Sequence, residues 1–293
     1  MPATILVNTS KVHIFILLLV LSIGCKAKKA RTIQSPPHYS FAEVQTIKLD
    51  LKLKEISGIA WDADKDEFLA HYDESGKLFV LDKSTLQIKT PSPFVFGNKG
   101  DYEDVAIYNG VPYVLRSDGM LTKIIKTGTT VQGVEMGKLA LTGTNDFETL
   151  YADTARKALI MVCKNCEMDS KSQVSAFAFY PDSSVGFSTN PVFRINADSI
   201  KAMSQRLGHK KTSKFQPSAA AIHPIWNKLV IISSASNQFL IADLNGNPEK
   251  IFELGAKLFP QPEGLTFKRN GDMYISNEGV TSAAKVHRFV YKP

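Results

Sequence analysis

The sequence predicts an all-β fold, a five-bladed β-propeller with four-stranded antiparallel blades. Three observations predict it. A short unit recurs five times, as Ile56-Ser57-Gly58-Ile59-Ala60, Tyr102-Glu103-Asp104-Val105-Ala106, Phe147-Glu148-Thr149-Leu150-Tyr151, Pro217-Ser218-Ala219-Ala220-Ala221 and Pro262-Glu263-Gly264-Leu265-Thr266. Aligned on their second residues, the units are 46, 45, 70 and 45 positions apart, and a period in the forties with strand-like content marks propeller blades. Each unit also leads into β-type runs separated by Asp, Gly, Asn and Ser turns, short enough to join antiparallel neighbours.

The elements follow in order. Phe41 to Leu53 alternates through Val44, Ile47, Leu49 and Leu51 and reads as a strand. The first unit then gives strands at Ser57–Trp61, Glu67–His71 and Lys77–Asp82, and the second at Asp104–Tyr108, Val111–Arg116 and Met120–Ile125. Asn109-Gly110 between two apolar runs is a hairpin signal, because both residues tolerate positive φ. The third unit offers Thr149–Ala152, Ala158–Cys163 and Gln173–Tyr180, and the fourth Ala219–His223, Lys228–Ser233, Gln238–Asp243 and Lys250–Leu254. The fifth supplies only Gly264–Phe267, Met273–Ser276 and Lys285–Tyr291. Pairing it with the unpartnered N-terminal strand closes the ring and removes the free sheet edges.

The interval of 70 exceeds its neighbours by about 25 residues, too few for a sixth blade. The excess holds a short helical insertion near 196–207. Asn196 is its N-cap, Ile200, Met203 and Leu207 form an apolar stripe, and Gly208 follows the last periodic residue. The basic run His209-Lys210-Lys211 comes next and reads first as a solvated face.

The leader and the charge belong together. Lys11 precedes an apolar run from Val12 to Ile23, which has the length of a signal-peptide core and is too short for a bilayer span. Gly24-Cys25 at its end resembles a bacterial lipoprotein signal, with Ser22 departing from the usual leucine. Residues 1–24 are therefore expected to be removed and Cys25 lipidated, with 25–40 a flexible tether and 41–293 the propeller domain. That places the protein in the bacterial cell envelope, facing the periplasm or the cell surface, as an expected monomer. The net charge of +7 rests on Lys11, Lys26, Lys28, Lys29 and Arg31; without them 30 basic residues face 28 acidic ones. The body is nearly neutral, so nucleic-acid binding loses its support.

Cys163 and Cys166 end a strand and have no further Cys or His at zinc spacing. In an oxidising compartment they are expected to form a local disulfide or stay as inert thiols.

In a propeller the loops entering the inner strands ring the channel mouth, so equivalent residues of the repeats converge. Glu103, Glu148 and Glu263 occupy one equivalent position, Ser57 and Ser218 fill it in the other units, and Glu55 lies two residues before Ser57. Asp104 is a further neighbour of the mouth. Bare carboxylates forced together repel, so either some are protonated or a cation lies among them. Oxygen ligands without His or Cys favour calcium. The alternative is that each glutamate bonds backbone amides locally and is structural.

The passages Glu55-Ile-Ser-Gly-Ile-Ala60, Tyr102-Glu-Asp-Val-Ala106, Asp146-Phe-Glu-Thr-Leu150, Phe215-Gln-Pro-Ser-Ala219 and Gln261-Pro-Glu-Gly-Leu265 resemble the SdiA-regulated, YjiK-like family of bacterial exported proteins. The resemblance implies a five-bladed propeller with a calcium site, distantly akin to NHL-type propellers. The matched acidic positions are Glu103, Glu148 and Glu263, with Glu55 beside them. It implies no particular activity. Two functions are therefore carried forward. One is a tethered calcium-binding module that takes a small-molecule or protein ligand at its channel; the other is a calcium-dependent esterase, lactonase or phosphoesterase with metal-activated water. A serine-hydrolase elbow is absent, and Trp61, Trp226 and His223 read as packing residues.

Overall fold

The computed structural model describes Met1 and residues 34–89, 93–209, 214–279 and 282–293. The chain divides into two compact units, Met1–Thr32 and Ile33–Pro293. Apart from Met1, the first unit lies outside the described residues, and with it the signal sequence, Cys25 and most of the expected tether; Lys210 and Lys211 of the basic run lie outside them too.

The second unit is five antiparallel sheets. Blade one comprises Ile56–Asp62, Glu67–Tyr72, Ser75–Leu81 and Phe94–Lys99, and blade two Tyr102–Tyr108, Val111–Arg116, Met120–Thr127 and Thr130–Lys138. Blade three has Asn145–Asp153, Ala158–Cys166 and Gln173–Tyr180, its outer edge shared by two short strands, Gly186–Phe187 and Phe193–Asn196. Blade four is Ala219–His223, Lys228–Ser233, Gln238–Ala242 and Pro248–Glu253. Blade five is Pro262–Phe267, Met273–Asn277 and Lys285–Phe289, completed by Gln45–Lys48 in register with Arg288 to Lys285. The N-terminal strand thus closes the ring. The five inner strands contact one another in a closed cycle.

The expected long strand from Phe41 to Leu53 is corrected: only Gln45–Lys48 pairs, between single 3₁₀ turns at Phe41–Glu43 and Leu51–Leu53. The cause is local. The Asp50 carboxylate accepts the Lys52 amide at 2.9 Å and starts a turn, while Phe41 leaves the strand line to pack on Phe259 and Phe289. Residues 34–40 lie against the body: Tyr39 is buried, and its hydroxyl bonds His223 Nε2 at 2.7 Å and the Gly271 carbonyl at 2.5 Å.

No single core exists. Five apolar clusters fill the five wedges between adjacent blades, so the middle strands are buried on both faces and read as continuous apolar runs. Phe239 and Ile241 of blade four, for example, meet Leu265 and Phe289 of blade five, while Leu240 and Ala242 face blade three. Two glycines permit the inner strands to approach. A Cβ on Gly58 would lie 2.8 Å from the Val105 amide of blade two, and one on Gly264 would lie 3.1 Å from the Ile59 amide of blade one. Hydrogen bonds stitch seams between inner strands: Asp104 to the Leu150 amide at 2.8 Å, Ser218 to the Pro262 carbonyl at 2.8 Å, and Thr266 Oγ1 to the Trp61 amide at 3.0 Å.

The Asn109-Gly110 turn forms with both residues at positive φ. The inserted helix runs Ala197–Arg206, with the Asn196 side chain accepting the Ser199 amide, and it packs into the cluster between blades three and four. Its stripe is corrected at one position. Ile200 is buried and Met203 packs beside it, but Leu207 is exposed and Ser204 takes the buried place, accepting Gln238 Nε2 at 2.8 Å.

Candidate functional site

One mouth of the central channel opens into a polar cavity of about 490 Å³. Its construction begins with an irregularity repeated in the inner strands. In blades two, three and five the ladder slips at the repeat position, leaving Glu103, Glu148 and Glu263 without cross-strand partners. In blade one Ser57 and Gly58 occupy the equivalent slip. A β-bulge turns its extra residue out of the alternation and re-aims the side chain. Here it aims Ser57 and the three glutamates at the axis, and Ser218, just before its strand, lines the cavity with them. The structure brings these residues to one place although the chain separates the first from the last by 206 positions.

A second ring lies two residues upstream: Asp101, Asp146, Gln216 and Gln261 all line the cavity. Asp73 and Glu278, after the second strands of blades one and five, complete the acidic set. Seven carboxylates therefore face one ammonium group, Lys164, among the described residues of the lining. Asp101, Asp146, the two glutamines and Lys164 went unrecognised in the sequence. The repeat register held the signal for the upstream ring, since the position two before the second residue of each unit is polar in all five. Lys164 had no such signal.

Two expected members are placed elsewhere. Glu55 is half-buried and does not line the cavity, though its charge reaches Asp73 and Glu278. Asp104 turns inward: it is buried and accepts the Val105 and Leu150 amides, both at 2.8 Å, so it ties blades two and three together. Burial pushes its carboxyl well above the usual range against those two bonds.

The electrostatics follow from crowding in a recess. Burial raises Glu103 to about 9, with Asp101 adding to the rise and Lys164 opposing it. Burial raises Glu263 to about 7, with Glu278 adding and Lys164 opposing. Asp73, Asp146 and Glu278 are raised as well, each chiefly by desolvation. One oxygen of Asp73, Oδ1, is buried without a partner. Lys164 forms an ion pair with Glu148 and lies 3.8 Å from Asp146.

The donor set is oxygen only and suits a hard cation. The carboxylates are spread around the cavity, however. Among the described residues, Cys163, Cys166 and Asp169 form the one trio of metal-ligating side chains within 4.8 Å of one another. Cys163 and Cys166 are joined in a disulfide, and Asp169 is held by Ser175. The ring glutamates thus do not all lie within the roughly 4.8 Å that two oxygens on opposite sides of one calcium ion span.

The opposite mouth is apolar. Ile59, Val105, Leu150, Ala220 and Leu265 line a smaller recess of about 230 Å³ there. His223 sits near that side as a packing residue, buried and stacked on Trp226 at 3.8 Å. Its Nδ1 accepts the Ile225 and Trp226 amides, so Nε2 carries the proton and donates to Tyr39.

The fold is similar to solved propellers. Glutaminyl cyclase of Myxococcus xanthus is 13% identical with a TM-score of 0.53, over 85% of this chain and 96% of that one. A gluconolactonase from Xanthomonas campestris is 12% identical with a TM-score of 0.50, over 90% of each chain. A luciferin-regenerating enzyme is 10% identical with a TM-score of 0.50, over 84% of this chain and 95% of that one. These likenesses concern the fold. No curated protein sequence matches the chain. The five repeats, the closing strand and the match of the SdiA-regulated family profile to residues 32–280 agree, and the chain belongs to the SdiA-regulated family.

Proposed function

We propose that the acidic channel mouth is a calcium-binding ligand site. The observation that carries this reading is the set of seven carboxylates converging on one cavity with a single ammonium group to offset them. The raised Glu103 and Glu263 report the cost of ionising that cavity unaided. A divalent cation relieves it. Glu103, Glu148 and Glu263 stand too far apart for all three to bond one ion directly, so they would hold it in part through water, with Asp101 and Asp146 beside them, and the ion would supply positive charge and open coordination positions for a ligand oxygen. The wide spacing of the glutamates leaves room in the cavity for that ligand.

The protein is tethered to a bacterial membrane through lipid on Cys25 and presents the propeller to the periplasm or the cell surface. The readings stand apart. Cys25→Ser would release the protein from membranes without changing the channel mouth, and its continued sedimentation with membranes would refute the tether.

Calorimetric titration of the protein with calcium chloride, beside Glu148→Gln, tests the site. Binding in the parent and its loss in the variant are expected; unchanged binding in the variant refutes the ring.

One observation favours a second reading, a calcium-dependent hydrolase. The cavity holds more carboxylates than one ion needs, which leaves one to act as a general base, and a gluconolactonase shares the fold. Chelator-sensitive turnover of esters, lactones or phosphoesters, abolished in Glu263→Gln, would establish it. Inertness together with a calcium-raised melting temperature favours the binding module.

A further inference from the structure

Lys164 is the one cationic side chain among the described residues of the acidic cavity, and its placement is built rather than incidental. In blade three Asn165 pairs with Asp146 and Cys163 with Phe147, so Lys164 is skipped by the ladder. On the facing strand Phe147 pairs with Cys163 and Thr149 with Val162, so Glu148 is skipped as well. Two bulges at adjacent positions on neighbouring strands thus turn a lysine and a glutamate out of the sheet together, and the two form an ion pair. The Cys163–Cys166 disulfide closes the backbone around the lysine's bulge. A two-residue loop held at both ends by a covalent bond restricts where Lys164 can reach.

The lysine serves more than its partner. Its ammonium lies 3.8 Å from Asp146 and its charge acts on Glu103 of blade two and Glu263 of blade five. A single positive group therefore stabilises carboxylates contributed by three blades. Those are the carboxylates that would hold the ion in the reading above, on which this inference rests.

We propose that Lys164 is the resident counter-cation of the channel mouth, held there by the disulfide-closed bulge, and that an entering divalent cation displaces it from Glu148. Lys164 is a positioning residue that sets how tightly the mouth takes a cation. Displacement also frees an ammonium group at the rim of an occupied site, where it can meet an anionic ligand.

Amine-labelling kinetics followed by mass spectrometry test this without presupposing a metal. In metal-free protein Lys164 should be modified about fivefold more slowly than the exposed Lys201 of the helix, the size of effect expected for a modest ion pair. Glu148→Gln should remove most of the difference, Asp146 at 3.8 Å keeping the rest, and Cys163→Ala/Cys166→Ala should reduce it. Equal rates in the parent overturn the proposal, and an unchanged rate in both variants overturns the roles of Glu148 and the disulfide. If the cysteine pair proves necessary for folding, the Glu148→Gln arm still decides the resident ion pair. Calcium should then accelerate Lys164 labelling over the range in which calorimetry detects binding, and Lys164→Met should bind calcium about tenfold more tightly. Binding with neither effect overturns displacement while the calcium reading stands. A protected Lys164 in a protein that takes up no calcium overturns the calcium reading and leaves the resident counter-cation in place.

Discussion

Raising the pH should weaken the metal-free protein, and Glu263 is the residue to follow. Its carboxyl lies at about 7 in the folded chain against an ordinary value of 4.5. The sign follows from proton counting. Between those two values the folded state holds a proton that the unfolded state has released, so the contribution of Glu263 to stability is fully present below pH 4.5 and is lost as pH rises through 7. Fully expressed, the difference is worth about 3.4 kcal/mol. Partial solvent access and side-chain relaxation reduce that, and on the order of 1–2 kcal/mol is expected. For a domain of this size the loss lowers Tm by about 3–6 °C between pH 5 and pH 8. Differential scanning calorimetry of the parent and Glu263→Gln with chelator gives the test. The variant should decline less steeply than the parent over this range, Glu103 keeping its own share, and be the more stable of the two at pH 8. Calcium should restore the parent at pH 8 and leave the variant nearly unaffected. Parallel pH profiles for both proteins would refute the claim that the mouth is crowded with costly carboxylates.

Other substitutions test the frame that positions the site. Gly58→Ala should destabilise by about 1–3 kcal/mol in urea unfolding, because its Cβ would stand 2.8 Å from the Val105 amide and 3.0 Å from Asp104 Cα. Asp104→Ala leaves the Val105 and Leu150 amides without their acceptor and should cost about 1–3 kcal/mol by the same measurement, without removing a cavity-lining group. Tyr39→Phe removes the hydroxyl between His223 and Gly271 and should cost about 1 kcal/mol, with faster amide exchange at 39–43 as the local signature.

Much of this was legible in the chain because repeats carry their own register. The period in the forties identifies blades, and the three-stranded last unit with an unpartnered N-terminal segment predicts the closure that forms between Gln45–Lys48 and Lys285–Phe289. The convergence of Glu103, Glu148 and Glu263 follows from the same symmetry, since equivalent positions of a cyclic array meet at its axis. The direction of individual side chains is another matter. Asp104 is adjacent to Glu103 yet points into the seam between blades, because the bulge at Glu103 resets the alternation by one residue. Glu55 occupies the upstream register shared by Asp101 and Asp146 but precedes a wider slip, at Ser57-Gly58, and stays outside the cavity.

The sequence by itself determined the number of blades, the closing strand and the identity of the ring position, all of which depend on period and pattern. Only the tertiary structure decided what surrounds that ring: the upstream acids and glutamines, the apolar opposite mouth, and Lys164 lying on Glu148. The physical reason is that periodicity specifies which backbone positions are equivalent, whereas the charge balance of a cavity depends on bulges and close approaches between strands distant in sequence. Lys164 belongs to no repeat position, and its role appears only once two neighbouring strands have both slipped by one residue.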